Sequence, residues 1–82
     1  MYDLDHDASV QEQIDALPPE ALAAFAELRV VLETAPWSGS PYHSEDPDRP
    51  VRAHAFGTAG LAVYLVMERQ RRVQLVLVLW VG

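Results

Sequence analysis

The hydrophobic residues near the start of the chain recur with the period of an α-helix. Val10, Ile14 and Leu17 are spaced i, i+4 and i+7, so they lie on one face of a helix that the pattern predicts over residues 7–17. Asp5 or Asp7 is suited to cap its first turn, because a carboxylate accepts hydrogen bonds from the unpaired N–H groups there. Two consecutive prolines follow and end this helix.

A second amphipathic helix is predicted between Pro19 and Pro36. Proline is favoured in the first helical turn and disrupts a helix from within, so these two residues mark the start and the stop. One stripe of the segment is apolar and consists of Ala21, Phe25, Leu28, Leu32 and Ala35. Because the connection between the two helices is very short, they should form a helical hairpin.

The second half of the chain has the period of β-strands. Residues 51–56, 61–67 and 73–81 are runs of β-branched, aliphatic and aromatic side chains of strand length. The short connections between them predict antiparallel neighbours in a meander. Residues 37–50, rich in proline and small polar side chains, are predicted to be a loop, and residues 2–4 a further short strand.

These elements predict an α+β fold in which the helical hairpin packs on one face of a three- to four-stranded antiparallel β-sheet. The 82 residues suffice for one hydrophobic core, so residues 1–82 are expected to form a single domain. A chain of this size buries a smaller share of its surface than a large domain does, and its stability should be modest.

The strands are apolar on both faces, although two helices can cover only one. Alternation along the last two strands places Tyr64, Val66, Val76, Val78 and Trp80 on the uncovered face. An exposed patch of that size is larger than a soluble monomer normally carries, so these residues are a predicted partner interface. The alternative is that the sheet curls and the loop after the second helix fills the concave side.

The net charge of −6 is unevenly distributed along the chain. Residues 1–50 contain eleven acidic residues and two arginines, whereas residues 51–82 contain four arginines and one glutamate. Overall acidity argues against non-specific binding to nucleic acid, which depends on basic side chains that neutralise phosphates. The basic second part still permits a local contact with an anion, for which arginine is the better bidentate ligand.

Composition and spacing disfavour several kinds of site. The chain has no cysteine, and its histidines, His6, His43 and His54, match no metal-ligand spacing, so neither a metal site nor a cofactor is predicted. It has no lysine for a Schiff base and no nucleotide-binding glycine motif. The acidic N-terminus lacks the apolar core of a signal peptide, and no apolar stretch is long enough to span a membrane, so a cytoplasmic location without membrane association is expected.

Arg52 and His54 are a candidate catalytic pair. Alternation places Arg52 and His54 on the same face of the first meander strand. An arginine beside a histidine can hold a phosphate and move a proton, the minimum for metal-free cleavage of RNA through the 2′-hydroxyl. The competing interpretation is that both are rim residues of the sheet, solvated or paired with Glu45, Asp46 or Asp48.

Residues 13–82 resemble the RelE/ParE-like superfamily of toxins from type II toxin–antitoxin pairs. The resemblance is carried by the helical hairpin QIDALPPEALAAFAELRVVLETAPW, the loop GSPY, and the strands VRAHAFG, GLAVYLV and RRVQLVLVLWVG. The chain is most similar to an actinobacterial-type branch with a PW-x-G-x-PY loop, which here spans residues 36–42. The resemblance implies a short first strand, two helices and an antiparallel meander, which agrees with the fold predicted above.

The resemblance also implies partners and a function. Toxins of this superfamily are neutralised by an antitoxin whose chain wraps the toxin, which gives the exposed apolar face an occupant. RelE-like members cut messenger RNA on the ribosome, whereas ParE-like members act on DNA gyrase. In the RelE-like case His54 is the expected acid or base and Arg52 the phosphate ligand, and the predicted RNA-binding residues are Arg49, Arg71 and Arg72. The alternative is a non-catalytic module that uses its open sheet face for a homodimer or another partner.

The sequence departs from the RelE-like pattern at two places. The arginine that usually opens the R-V-x-Y strand aligns with Leu61, and the tyrosine or His-Tyr that follows the last strand has no counterpart before Gly82. Since the loss of one preorganised donor typically costs about 10²–10³ in rate, a reduced catalytic set is expected.

Overall fold

The computed structural model describes residues 1–42 and 50–81. In chain order the elements are β1 (Asp3–His6), α1 (Ala8–Asp15), α2 (Pro19–Thr34), a 3₁₀ turn (Pro36–Ser38), β2 (Ser40–Pro41), β3 (Val51–Phe56), β4 (Gly60–Met67) and β5 (Arg72–Trp80). The predicted α+β class, the helical hairpin and the three-stranded meander are confirmed.

The helix ends follow the capping and proline signals of the sequence. Of the two candidate caps, Asp7 is the one used, and its Oδ1 accepts a hydrogen bond of 2.9 Å from the N–H of Val10. Pro19 occupies the first turn of α2, where its missing N–H costs nothing. Pro36 then starts the 3₁₀ turn that leads the chain away from α2 and onto the edge of the sheet.

Within the described residues the sheet has five strands in the order β1-β5-β4-β3-β2, rather than the three or four predicted. The meander is antiparallel, but β1 pairs in parallel with β5, so the sheet is mixed. The predicted loop over residues 37–50 contributes the extra strand, because Ser40 and Pro41 pair with β3. Two residues are too few to show a hydrophobic period, so no sequence pattern indicated this strand.

A β-bulge interrupts the pairing of β4 with β5. Val63 lies opposite Leu77, whereas the next residue, Tyr64, lies opposite Leu75, which leaves Val76 as the extra residue on β5. An extra residue shifts the alternation by one, so the side chains that face the helices change from odd to even numbers along this strand. The strict alternation assumed from the sequence is therefore wrong beyond Val76.

The hydrophobic core lies between the hairpin and the helix-facing side of the sheet. The helices contribute Val10, Leu17, Ala21, Phe25, Leu28 and Leu32, and the strands contribute Phe56, Ala62, Tyr64, Val66, Val73, Leu75 and Val78. Beyond the end of β1, α1 also covers the edge of β5, where the Gln13 side-chain carbonyl accepts a hydrogen bond of 2.8 Å from the N–H of Val78. This contact satisfies a backbone donor that β1 does not reach.

Candidate functional site

Arg52 and His54 both lie on the helix-facing side of β3, as alternation predicts, because their cross-strand partners Tyr64 and Ala62 are core residues. The two side chains have different surroundings. The Arg52 guanidinium lies over the Trp37 ring, 4.8 Å from its centroid, and its Nη1 donates to the carbonyl oxygen of Gly39 at 3.3 Å. Arg52 thus packs against the turn after α2, and these contacts do not join it to His54.

His54 is half-buried and is held by its own strand. Its Nδ1 lies 2.7 Å from the carbonyl oxygen of Ala55. A carbonyl oxygen can only accept a hydrogen bond, so this geometry assigns the proton of a neutral imidazole to Nδ1 and the lone pair to Nε2. Nε2 is then the ring atom that can take or give a proton without breaking the contact that orients the ring.

His54 lines a cavity of about 190 Å³ between α2 and the end of β3. The described residues around it are Ala24, Glu27, Leu28 and Val31 from the helix and His54, Ala55, Phe56 and Gly57 from the strand and its turn. Pockets that enclose small-molecule ligands usually measure roughly 300–1,000 Å³. This cavity is smaller, so its size favours contact with one part of a larger ligand over the enclosure of a metabolite.

Among the residues described, the end of β3 is shaped by close aromatic packing. Phe56 contacts Phe25 edge-to-face with ring centroids 5.5 Å apart, and Trp80 packs on its other side at 5.9 Å. Gly57 turns the chain with φ of +60°, and a Cβ there would lie 3.1 Å from the Trp80 ring and 3.2 Å from Ala24. The strand therefore ends at a fixed place, which sets the position of His54 against α2.

A second polar cluster joins the turn between β4 and β5 to the start of the chain. The Glu68 carboxylate accepts hydrogen bonds from the Tyr2 hydroxyl at 2.6 Å, the Trp37 indole N–H at 2.8 Å and the Arg71 guanidinium at 2.6 Å. Hydrogen bonds from Tyr2 first, then Trp37 and Arg71, lower the pKa of Glu68 to about 2. The same contact with Glu68 raises the pKa of Tyr2. This cluster ties three segments together.

The predicted RNA-binding arginines differ in their surroundings. Arg71 lies over the Tyr2 ring at 4.4 Å in addition to its salt bridge with Glu68, and its backbone is left-handed with φ of 54°. Arg72 forms a salt bridge of 3.5 Å with Asp5. Both side chains are about half exposed, but each already has an acidic partner that a phosphate would have to displace. Arg49 lies outside the described residues.

The predicted partner interface is misplaced for most of its residues. Tyr64, Val66 and Val78 are at most 3% exposed and belong to the core beneath the helices. Trp80 also packs against this core. On β5 the β-bulge explains the wrong assignment, because it brings the even-numbered residues beyond Val76 to the helix side. On β4 the two faces were assigned the wrong way round. Val76 itself is 49% exposed.

The face of the sheet that points away from the helices is nevertheless apolar. We call it the open sheet face; its apolar residues, matched by cross-strand register, are Val51, Ala53, Ala55, Leu61, Val63, Leu65, Met67, Leu77 and Leu79. Leu61 and Leu79, which are register partners, are 37% and 42% exposed. Toward β1 the face becomes polar, where the Arg72–Asp5 pair lies.

The sequence pattern indicated Arg52 and His54 as candidates, but it did not indicate that Trp37 contacts Arg52 or that Glu27 lines the cavity with His54. Glu27 lies outside the apolar stripe of an amphipathic helix, where a solvated side chain is expected. Its position in the sequence does not indicate that α2 lies beside the end of β3. Trp37 follows a helix-ending proline in a segment predicted to be a loop. The signal for Trp37 is its position beside the strand that carries Arg52, which only the β2–β3 pairing makes apparent.

Metal and membrane sites find no support in the part of the chain that is described. Over residues 1–42 and 50–81 no three histidine, aspartate or glutamate side chains converge as metal ligands. No helix in those ranges has both the length and the apolar character needed to cross a membrane.

Comparison with known proteins gives a fold but no sequence relative. No protein-family model and no curated protein sequence matches the chain. A chain of the intact E. coli RelBE toxin–antitoxin complex has the same fold, with a TM-score of 0.80 and 14% identity over 100% of this chain and 99% of that chain. The isolated E. coli RelE toxin aligns with a TM-score of 0.79 and 15% identity over 100% of this chain and 86% of that chain.

An archaeal structure shares the fold as well. A chain of the RelE–RelB complex from Pyrococcus horikoshii OT3 aligns with a TM-score of 0.64 and 17% identity over 99% of this chain and 96% of that chain. The chain therefore has a RelE-like toxin fold, as the sequence resemblance predicted.

Proposed function

We propose that this chain is the toxin component of a type II toxin–antitoxin pair and that it cleaves messenger RNA on the ribosome, in the cytoplasm and without a metal. The full-length structural likeness to RelE chains supports the class. Because one fold hosts many functions, the nuclease part needs its own support from the site. The observation that carries it is the contact of His54 Nδ1 with the Ala55 carbonyl, which leaves Nε2 oriented for proton transfer.

Arg52 is proposed to bind the scissile phosphate beside His54. It lies two residues away on the same face of β3, and its guanidinium is always protonated. Stacking on Trp37 holds this side chain in one orientation, which lowers the entropic cost of binding a phosphate. Arg49, Arg71 and Arg72 are proposed to contact RNA more weakly, and for Arg71 and Arg72 this requires exchange of their acidic partners.

The nuclease proposal is tested with purified protein in a translating extract. We expect position-specific cuts in ribosome-bound messenger, reduced about 10²–10⁴-fold in His54→Ala, because a positioned acid or base typically contributes that much. His6→Ala is the matched control, since His6 lies in β1 and bonds to Gln11 instead. Intact messenger at stoichiometric wild-type protein would contradict the proposal, as would equal losses in the two variants.

A cognate antitoxin is the proposed partner of the open sheet face. Two of the structures that share the fold are toxin–antitoxin complexes, RelBE and RelE–RelB. An apolar sheet face of this kind is unusual for a free monomer, and an antitoxin segment would bury it. The open sheet face replaces the interface predicted from sequence, from which only Val76 remains exposed.

The partner proposal is tested by co-purification with the product of a small adjacent reading frame. Leu79→Asp places a charge on the open sheet face and should weaken the complex at least tenfold. Leu22→Asp is the control, because Leu22 is 50% exposed on α2, away from that face. Retention of the complex by both variants would place the antitoxin elsewhere, and loss in both would indicate a general defect.

A second candidate function is a non-catalytic module that dimerises through the open sheet face. Two observations favour it: Arg71 and Arg72 at the β4–β5 turn are each paired with an acidic residue, and the open sheet face is apolar. Sedimentation at micromolar concentration tests it, with a dimer expected for the wild type and a monomer for Leu79→Asp. A wild-type monomer would exclude this function at that concentration.

A further inference from the structure

We infer that Glu27 is a second catalytic residue and works with His54 as the other half of an acid–base pair. The inference rests on the proposed ribonuclease function and identifies a group that the RelE-like resemblance does not supply. Glu27 and His54 then carry the two proton transfers, and Arg52 keeps its proposed role of binding the scissile phosphate.

The reaction needs two proton transfers. Attack of the 2′-oxygen on phosphorus requires the loss of the 2′-hydroxyl proton, and departure of the 5′-oxygen requires the gain of one. Arginine does not deprotonate in proteins, so Arg52 can bind charge but cannot carry either transfer. If the chain cleaves RNA by this route, another titratable side chain must lie beside His54.

The cavity between α2 and β3 supplies that side chain. Of the described residues that line it, His54 and Glu27 are the two whose side chains carry an acid or base group; the remainder are Ala24, Leu28, Val31, Ala55, Phe56 and Gly57. One group comes from the strand and the other from the helix, so they lie on opposite walls. Two proton-transfer groups at one apolar site are the arrangement expected of an acid–base centre.

The elements that hold the two groups are fixed by packing. Leu28, one residue after Glu27, is 3% exposed in the core, and Phe56, two residues after His54, is 4% exposed. Each titratable side chain is therefore anchored by a core residue on its own element. Glu27 itself is exposed, so its carboxylate can reach a ligand that enters from solvent.

Glu27 and His54 each carry one of the two proton transfers. The Glu27 carboxylate takes the 2′-hydroxyl proton while the 2′-oxygen forms a bond to phosphorus. The bond from phosphorus to the 5′-oxygen breaks, and the His54 imidazolium donates its Nε2 proton to that oxygen. The products are a 2′,3′-cyclic phosphate and a 5′-hydroxyl end. His54 keeps its Nδ1–H bond to Ala55 in both protonation states, because Nδ1 donates in each.

The primary test compares two conservative variants on the same helix. Glu27→Gln removes the base without changing size and should reduce cleavage of ribosome-bound messenger about 10²–10⁴-fold. Glu33→Gln removes one carboxylate from α2 outside the cavity and should cleave like the wild type. If both variants cleave alike while His54→Ala does not, Glu27 is not catalytic and the proposed nuclease stands. If the wild type does not cleave, the proposed function fails and this inference with it.

A modified substrate tests the assignment of roles. A synthetic messenger with sulfur in place of the bridging 5′-oxygen has a leaving group that departs without a proton. We expect this substrate to restore cleavage by His54→Ala to within about tenfold of wild type, and to leave Glu27→Gln impaired, because the base is still needed. Rescue of Glu27→Gln in place of His54→Ala would overturn the assignment. A messenger with a 2′-deoxy sugar at the cut should resist every variant.

Discussion

The Tyr64 hydroxyl holds the turn after α2 against the sheet. The residue is fully buried, its hydroxyl donates to the Pro36 carbonyl at 2.6 Å, and burial raises its pKa. The turn after α2 thereby lies against β4, which places Trp37 beside Arg52. The sequence indicated an aromatic residue on an apolar strand, but the partner of the hydroxyl depends on where the loop returns to the sheet.

We predict that Tyr64→Phe lowers the free energy of unfolding by about 1–3 kcal/mol, because a buried carbonyl loses its donor. Gly39→Ala should also destabilise, by about 1–3 kcal/mol, since a Cβ would collide with the Tyr64 hydroxyl and lie 2.9 Å from the Ala53 carbonyl oxygen. Urea unfolding of both variants and the double variant measures the coupling. The cost of Gly39→Ala should fall when the hydroxyl is absent, and strict additivity would contradict this packing.

The Glu68 cluster predicts a specific acid dependence of stability. Its folded-state pKa, about 2, lies below the ordinary value of 4.5, so its contribution to stability is present above pH 4.5 and is lost as pH falls through about 2. Glu68→Gln should therefore be less stable than wild type at neutral pH, and the difference should shrink as pH approaches 2. Thermal unfolding across that range measures it. A difference that is constant with pH would show that the carboxylate charge is unimportant.

At the candidate site, the sequence predicted only which residues of one strand share a face. Arg52 and His54 share a face because residues two apart in a strand do so in any fold. Glu27 is different, because its role depends on α2 lying beside the end of β3, a contact between residues far apart in sequence. No local pattern encodes that contact, although the Phe25 and Leu28 stripe correctly predicted the buried face of the helix.

At the scale of elements, β5 is where local pattern and structure diverge most. Its boundaries were predicted to within one residue, yet the bulge at Val76 reversed the assignment of faces beyond it. A continuous run of valine and leucine looks the same in either register, since both faces are apolar. The position of a bulge depends on how β5 must twist to pair with both β1 and β4.

The bulge makes a prediction about Val76 and Val78, which lie two residues apart on β5. Val78→Asp should unfold the protein or lower its stability by several kcal/mol, because the carboxylate would be buried without a partner. Val76→Asp, at an exposed position on the same strand, should cost about 0.5 kcal/mol or less. Circular dichroism with urea titration distinguishes them. Equal and severe losses would contradict the bulged register, and so would a tolerant Val78.

At the scale of the whole molecule, the fold separates two surfaces. The cavity lined by His54 and Glu27 lies on the helix side of the sheet, and the open sheet face lies on the other. Composition predicted the existence of that surface, because two helices cannot cover both faces of a sheet. It did not predict its residues, because their identity follows from register. The net charge of −6 is consistent with action on a target held by the ribosome in preference to free RNA.

The central claim is that this chain cuts messenger RNA on the ribosome, and mapping of RNA ends in cells tests it most directly. Expression of the chain without the proposed antitoxin, followed by sequencing of 5′-hydroxyl ends, should reveal new ends that keep a constant phase relative to the codons of translated messages. These ends should disappear in His54→Ala and Glu27→Gln and persist in His6→Ala. An absence of new ends in cells that contain the folded protein, or ends without codon phase, would contradict the account.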